Sequence, residues 1–270
     1  MGRLRRAAAA GLALALGAAA CGPGRDPSLR YQAFVPVVLS SRLPKRIPWQ
    51  TRVEVTNPGG SPAVVRLHRW PPDARDAEIE EYAVAPRTTR GIPLRIPLFP
   101  SVSSFLFESR GPFTVRAVVR DRRGGGLALE VPVLDPGQLA QPGDTLRVGP
   151  LLRDGEHRSH ICYTFPGSER DAVPFRVRSV VVSAEGTPLG TFEHPVHGVP
   201  EVIEDPWTRF SLHERRPIFV EVTLLGGTRG RSPVWGLWVY GIVTEKATNV
   251  SRFVPTTVTR GRRASGSGAG

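Results

Sequence analysis

The chain has 270 residues, with 36 Lys and Arg against 24 Asp and Glu, for a formal net charge of +12. Only Lys45 and Lys246 are lysine, and the arginines are scattered, with no basic helix and no basic stripe interleaved with aromatics; specific nucleic-acid binding is therefore not expected. The 27 prolines are spread so evenly that hardly any window keeps a helical apolar period, yet the length suffices for one large core or two smaller ones.

Arg3, Arg5 and Arg6 precede an uncharged Ala/Leu stretch, Ala7 to Ala20, that ends in Ala18-Ala19-Ala20 and meets Cys21. This is the layout of a secretory signal, and its apolar stretch is too short to span a bilayer comfortably. A small residue before a Cys at this place resembles the bacterial lipobox, in which the Cys sulfur receives a diacylglycerol before cleavage. The resemblance implies a cleaved signal over 1–20, lipidation at Cys21 and a membrane partner held through that lipid. Ala18 stands where the pattern usually carries Leu; the other reading is cleavage at an Ala-x-Ala site and a soluble secreted or periplasmic product. Gly22 to Arg30 reads as a Pro/Gly tether, so 21–30 is the lipidated tether. Loss of Arg3, Arg5 and Arg6 with the signal takes the charge from +12 to +9.

Beyond the tether, strand alternation recurs along the chain. Val53 and Val55 alternate with Arg52, Glu54 and Thr56; Val115, Ala117 and Val119 with Thr114, Arg116 and Arg120. Phe175 and Val177 alternate with Arg176 and Arg178, and Val220, Val222 and Leu224 with Glu221 and Thr223. Such alternation predicts antiparallel sheets with one wet face. Val234 to Val243 is apolar on both sides and predicts an interior strand or one that meets a neighbouring domain. Turns are expected at Asn57 to Pro62 and Ala184 to Pro188, and hairpins at Gly124 to Gly126 and Gly226 to Gly230.

Gly111 to Val118 and Arg216 to Thr223 share a pattern at an offset of 105 residues, about the size of an immunoglobulin-like domain. Pro and Gly cluster from Asp135 to Gly155, a natural boundary. Phe34-Val35-Pro36-Val37-Val38, followed by Trp49 through Asn57-Pro58, resembles the opening of an uncharacterised β-sandwich module of bacterial secreted proteins. Thr187-Pro188-Leu189-Gly190, Val239 to Asn249 and Phe253-Val254-Pro255 resemble its usual partner. The resemblance implies an all-β chain of two tandem immunoglobulin-like antiparallel β-sandwiches outside the cytoplasm, with no catalytic residues to carry over. The expected divisions are domain 1 over 31–136, a linker or edge strand over 137–156, domain 2 over 157–257 and a disordered tail over 258–270.

Chemistry-bearing residues are sparse. Cys162, in the strand-like Ser159 to Tyr163, reads as a buried inert thiol. His157 and His160, like His194 and His197, are three apart, which in a strand sends them to opposite faces and disfavours a chelate. No Ser lies in a Gly-x-Ser-x-Gly elbow, and no Gly run has the form of a phosphate loop. Trp70, before Pro71-Pro72, and Trp207, after Asp205-Pro206, are loop-like and are the candidate ligand-binding residues, for sugars or a protein partner; end-capping of a sandwich is the plainer role. The expectation is a non-catalytic cell-envelope lipoprotein, without metal or cofactor, that binds an envelope protein or glycan or serves adhesion or assembly. The alternative is a polysaccharide-binding accessory subunit or a surface hydrolase.

Overall fold

The computed structural model describes residues 30–39, 49–70, 79–94, 102–121, 129–165, 175–196, 201–213, 216–226, 236–248 and 250–261. The expected signal over 1–20, Cys21, most of the expected tether and the last nine residues lie outside them. Eight strands come first: β1 (Tyr31–Leu39), β2 (Trp49–Asn57), β3 (Ala63–Trp70), β4 (Glu80–Val84), β5 (Thr88–Ile92), β6 (Val102–Ser109), β7 (Thr114–Asp121) and β8 (Leu129–Val131). A 3-10 turn at Pro136–Gln138 leads to β9 (Thr145–Leu151), β10 (His157–Thr164), β11 (Phe175–Ser183), β12 (Pro188–Val196) and β13 (Glu201–Ile203). A four-residue helix, α1 (Pro206–Arg209), precedes β14 (Ile218–Gly226), β15 (Trp238–Glu245), β16 (Ser251–Val254) and β17 (Thr256–Thr259).

The strands form four antiparallel sheets, ordered β1-β6-β3-β4, β5-β2-β7-β8, β12-β11-β14-β9-β17 and β13-β10-β15-β16. Among the described residues, no strand up to β8 shares a sheet with one from β9 onward. Period-two alternation explains the faces. Val53, Val55, Ala117, Val177, Val220, Val222 and Leu224 are wholly buried while Arg52, Arg116 and Arg178 reach solvent. Each fully buried Val or Leu contributes on the order of 2 kcal/mol over its exposed state. One hydrophobic cluster runs through all four sheets, with Phe34, Phe105 and Phe107 at one end and Phe175, Val220 and Leu237 at the other.

The apolar run ending at Val243 is an interior strand: β15 lies between β10 and β16. Gly241 faces inward there, and a Cβ would fall inside Val254 Cγ2 and 2.7 Å from Leu151 Cδ2. Only glycine lets β15 lie this close to β9. The turn at Ala184 to Pro188 joins paired neighbours, with Ser183 N–H donating to Thr187 O at 2.9 Å. β7 and β8 pair antiparallel, while the Gly124 to Gly126 stretch itself lies outside the described residues.

Three expectations are corrected. Gly226 to Gly230 does not close a hairpin, since β14 and β15 lie in different sheets and the chain crosses between them. The 137–156 segment is not an edge strand: β9 within it sits between β14 and β17, because Leu146, Val148 and Leu151 have buried places to fill in that sheet. Nor does a loose tail begin at 258. Val258 and Thr259 pair with Leu146 and Thr145, giving the Gly-poor Thr256–Thr259 segment the ladder partner its β-branched residues favour. The two similar segments become β7 and β14, each third in its sheet; β7 pairs next with the strand that follows it, β14 with one that precedes it.

The chain between the two groups of sheets is fastened on both sides. Phe34 and Leu134 exchange backbone hydrogen bonds of 2.7 and 2.8 Å, and Ala140 and Leu237 exchange bonds of 2.8 and 2.9 Å. Ser104 Oγ on β6 and Thr164 Oγ1 on β10 lie 2.9 Å apart and buried, a direct hydrogen bond between the groups.

Candidate functional site

The Asn-Pro-Gly-Gly turn after β2 is held by Asn57, itself buried. Asn57 Nδ2 donates to Ser61 O at 2.8 Å and Val84 O at 3.1 Å, and its Oδ1 accepts from Gly59 N at 2.9 Å. This Asx-type arrangement fixes the turn without regular structure. Opposite it, the turn after β6 is fixed by Ser109, whose Oγ donates to Val64 O at 2.9 Å and accepts from Gly111 N at 3.3 Å. Between the two turns, at the ends of β3 and β4, lies a groove of about 610 Å3.

The groove presents Val64, 51% exposed, with Pro62 and Pro112 as apolar patches, and Arg66, Arg110 and Glu81 as charged ones. Arg66 Nε is 2.8 Å from Glu81 Oε1, so much of that charge is internally neutralised. Ser109 has its hydroxyl committed to backbone groups, which suits a structural post and not a nucleophile. The groove can therefore offer exposed backbone, apolar patches and a guanidinium to a bound chain; no base–nucleophile pair lines it.

The candidate residues read from the sequence are dispersed. Cys21 lies outside the described residues. Trp70 ends β3, opposite Ser104, and its side chain lies outside them as well. Trp207 is in α1, begun by Pro206 and capped by Asp205, whose carboxylate accepts from Trp207 N and Thr208 N at 3.2 and 3.3 Å. Only 1% of Trp207 is exposed, and Phe210 just beyond it packs on Phe192 at 4.9 Å between ring centres. Stacking a sugar on Trp207 would require α1 to move.

Cys162 is buried, and burial pushes its thiol up to about 12. His157 Nδ1 is 3.0 Å from Asp154, which also accepts from the His157 backbone N–H at 2.6 Å. His160 is held below its ordinary range by burial and then by Arg158, His194 by burial and then by Arg209. His194 meets Tyr163 edge-on, 5.3 Å between ring centres, while His197 lies outside the described residues. Among the described residues, no three His, Cys, Asp or Glu side chains group as metal ligands, and no helix is long and apolar enough to cross a membrane.

Sequence reasoning found the Asn57 to Pro62 turn but not the groove, which depends on the β6–β7 turn folding against it. Trp238 and Tyr240, in the run read from the sequence as apolar on both sides, are both buried. No protein-family model, curated protein or solved structure matches this chain.

Proposed function

We propose that the chain is a non-catalytic cell-envelope lipoprotein, held to the membrane through Cys21, that acts as a binding or structural module. Its four sheets work as two immunoglobulin-like sandwiches, one from β1–β8 and one from β9–β17. The observation that carries the reading is the partition of strand pairing at the 132–144 segment, combined with backbone pairing on both sides of that segment. Two groups of sheets that share one hydrophobic cluster and are fastened at the joint make a stiff spacer, and stiffness is what a module displayed from a membrane requires. The committed Ser109 hydroxyl, the suppressed Cys162 thiol and the separated histidines support binding over catalysis.

The groove between the Asn57 and Ser109 turns is the part of this surface that would meet a partner, an envelope protein or glycan. The test is a pull-down from envelope extract with the chain starting at Gly22 as bait, at low and high salt. A discrete partner is expected to survive high salt and to be lost on Val64→Glu. If everything captured elutes with salt, the arginines act only as a polyanion attractant and specific recognition fails. Changing His157, His160, His194 and His197 to alanine is expected to leave capture intact; loss of capture together with a bound metal would favour the hydrolase reading.

A further inference from the structure

The segment joining the two groups of sheets is closed by a residue from the far end of the chain. Its start is the 3-10 turn at Pro136–Gln138, where Asp135 and Gln138 cap each other's backbone. Its end is Asp144, 1% exposed, whose Oδ2 accepts from Gln141 N at 3.0 Å. Arg260 reaches both. Its Nη1 lies 2.6 Å from Asp144 Oδ2 and donates to Leu139 O at 3.1 Å, while Nη2 donates to Gly137 O. Gly261 N then donates to the other Asp144 oxygen at 2.9 Å. Gly261 lies so close over Gly143 that a Cβ there would collide with Gly143 O.

A planar guanidinium is suited to this, since its fixed fork can serve two carbonyls and a carboxylate at once. The 137–144 segment is thereby cross-linked to the strand that ends the second group of sheets. Leu134, just before it, is paired to β1 of the first group, and Ala140, within it, to Leu237 of the second. The geometry points to Arg260 as a latch: with Asp144 it holds the joining segment closed and so fixes how the first group of sheets sits on the second. Arg260 and Gly261 are then part of the joint and not an appendage to it.

The latch is tested in the full chain with Arg260→Ala, Asp144→Asn and the double variant, with Arg260→Lys as a milder change that keeps the charge and loses the fork. Two measurements are read together. Hydrogen exchange of the amides from Gln138 to Asp144 is expected to rise about tenfold or more in each single variant, and no further in the double, because both remove one interaction. Spin labels at the exposed Thr89 and Thr191, one in each group of sheets, are expected to show a distance distribution widened by about twofold in Arg260→Ala and less in Arg260→Lys. An unchanged distribution, or an exchange increase spread evenly over the whole chain, would overturn the latch and leave Arg260 a contributor to general stability.

Discussion

At the scale of single residues, burial acts on Cys162 and Asp144 with opposite outcomes. Cys162 on β10 is paired with Tyr240 on β15, and both are buried. With its thiol pushed up to about 12, Cys162 is expected to resist alkylation in the native protein at pH 8 and to label fully after unfolding, as read by the mass of the peptide that carries it. Rapid native labelling would show that the packing around Cys162 on β10 opens. Asp144 behaves oppositely. Burial would raise its pKa, but the hydrogen bonds from Gln141, Arg260 and Gly261, with the Arg260 charge, outweigh burial and hold it below the ordinary carboxyl range. A depressed carboxyl stabilises the fold above its unfolded pKa and loses that contribution as pH falls through the folded value. Urea midpoints are therefore expected to drop as pH falls below the ordinary carboxyl range of about 4, and to drop less in Asp144→Asn, which is itself about 1–3 kcal/mol less stable at pH 7.

At the scale of elements, the alternating strands were readable because each has one buried and one wet face, and the period of two shows directly in the residue types. Val53, Val55, Phe175, Val177 and Val220 fell on the inside as their spacing required. Pairing partners were not readable, since a local pattern does not carry the identity of a neighbour far away in sequence. Hence β14 and β15, close in sequence and separated by glycines, entered different sheets, while β9 found β17 more than a hundred residues on. Gly241 shows the same limit: its meaning lies in Leu151 and Val254 beside it, and nothing adjacent in sequence announces them. Gly241→Ala is expected to cost about 1–3 kcal/mol by overpacking, measured by urea unfolding, whereas Gly60→Ala, with open space at its Cβ position, should cost well under 1 kcal/mol.

At the scale of the whole molecule, the all-β character followed from composition and alternation, but the groove did not. It is assembled from Asn57 to Val64 and Ser109 to Pro112, two turns that become neighbours only because β3 pairs with β6. Trp207 was a misleading guide for a related reason. A Trp beside proline looks loop-like, yet after Asp205-Pro206 the capped turn of α1 carries Trp207 into the interior, where a large apolar ring gains most. If the groove is the contact point, Val64→Glu abolishes partner capture without shifting the thermal midpoint, because Val64 is already half in solvent.

The most direct single measurement is the intact mass and N-terminal sequence of the protein extracted from membranes with detergent. A mature chain beginning at Cys21, heavier by a diacylglycerol-type modification and released to the soluble fraction by Cys21→Ser, is the expected result. A chain that begins at another residue, or that carries an unmodified Cys21 and extracts without detergent, would contradict a lipid-anchored module.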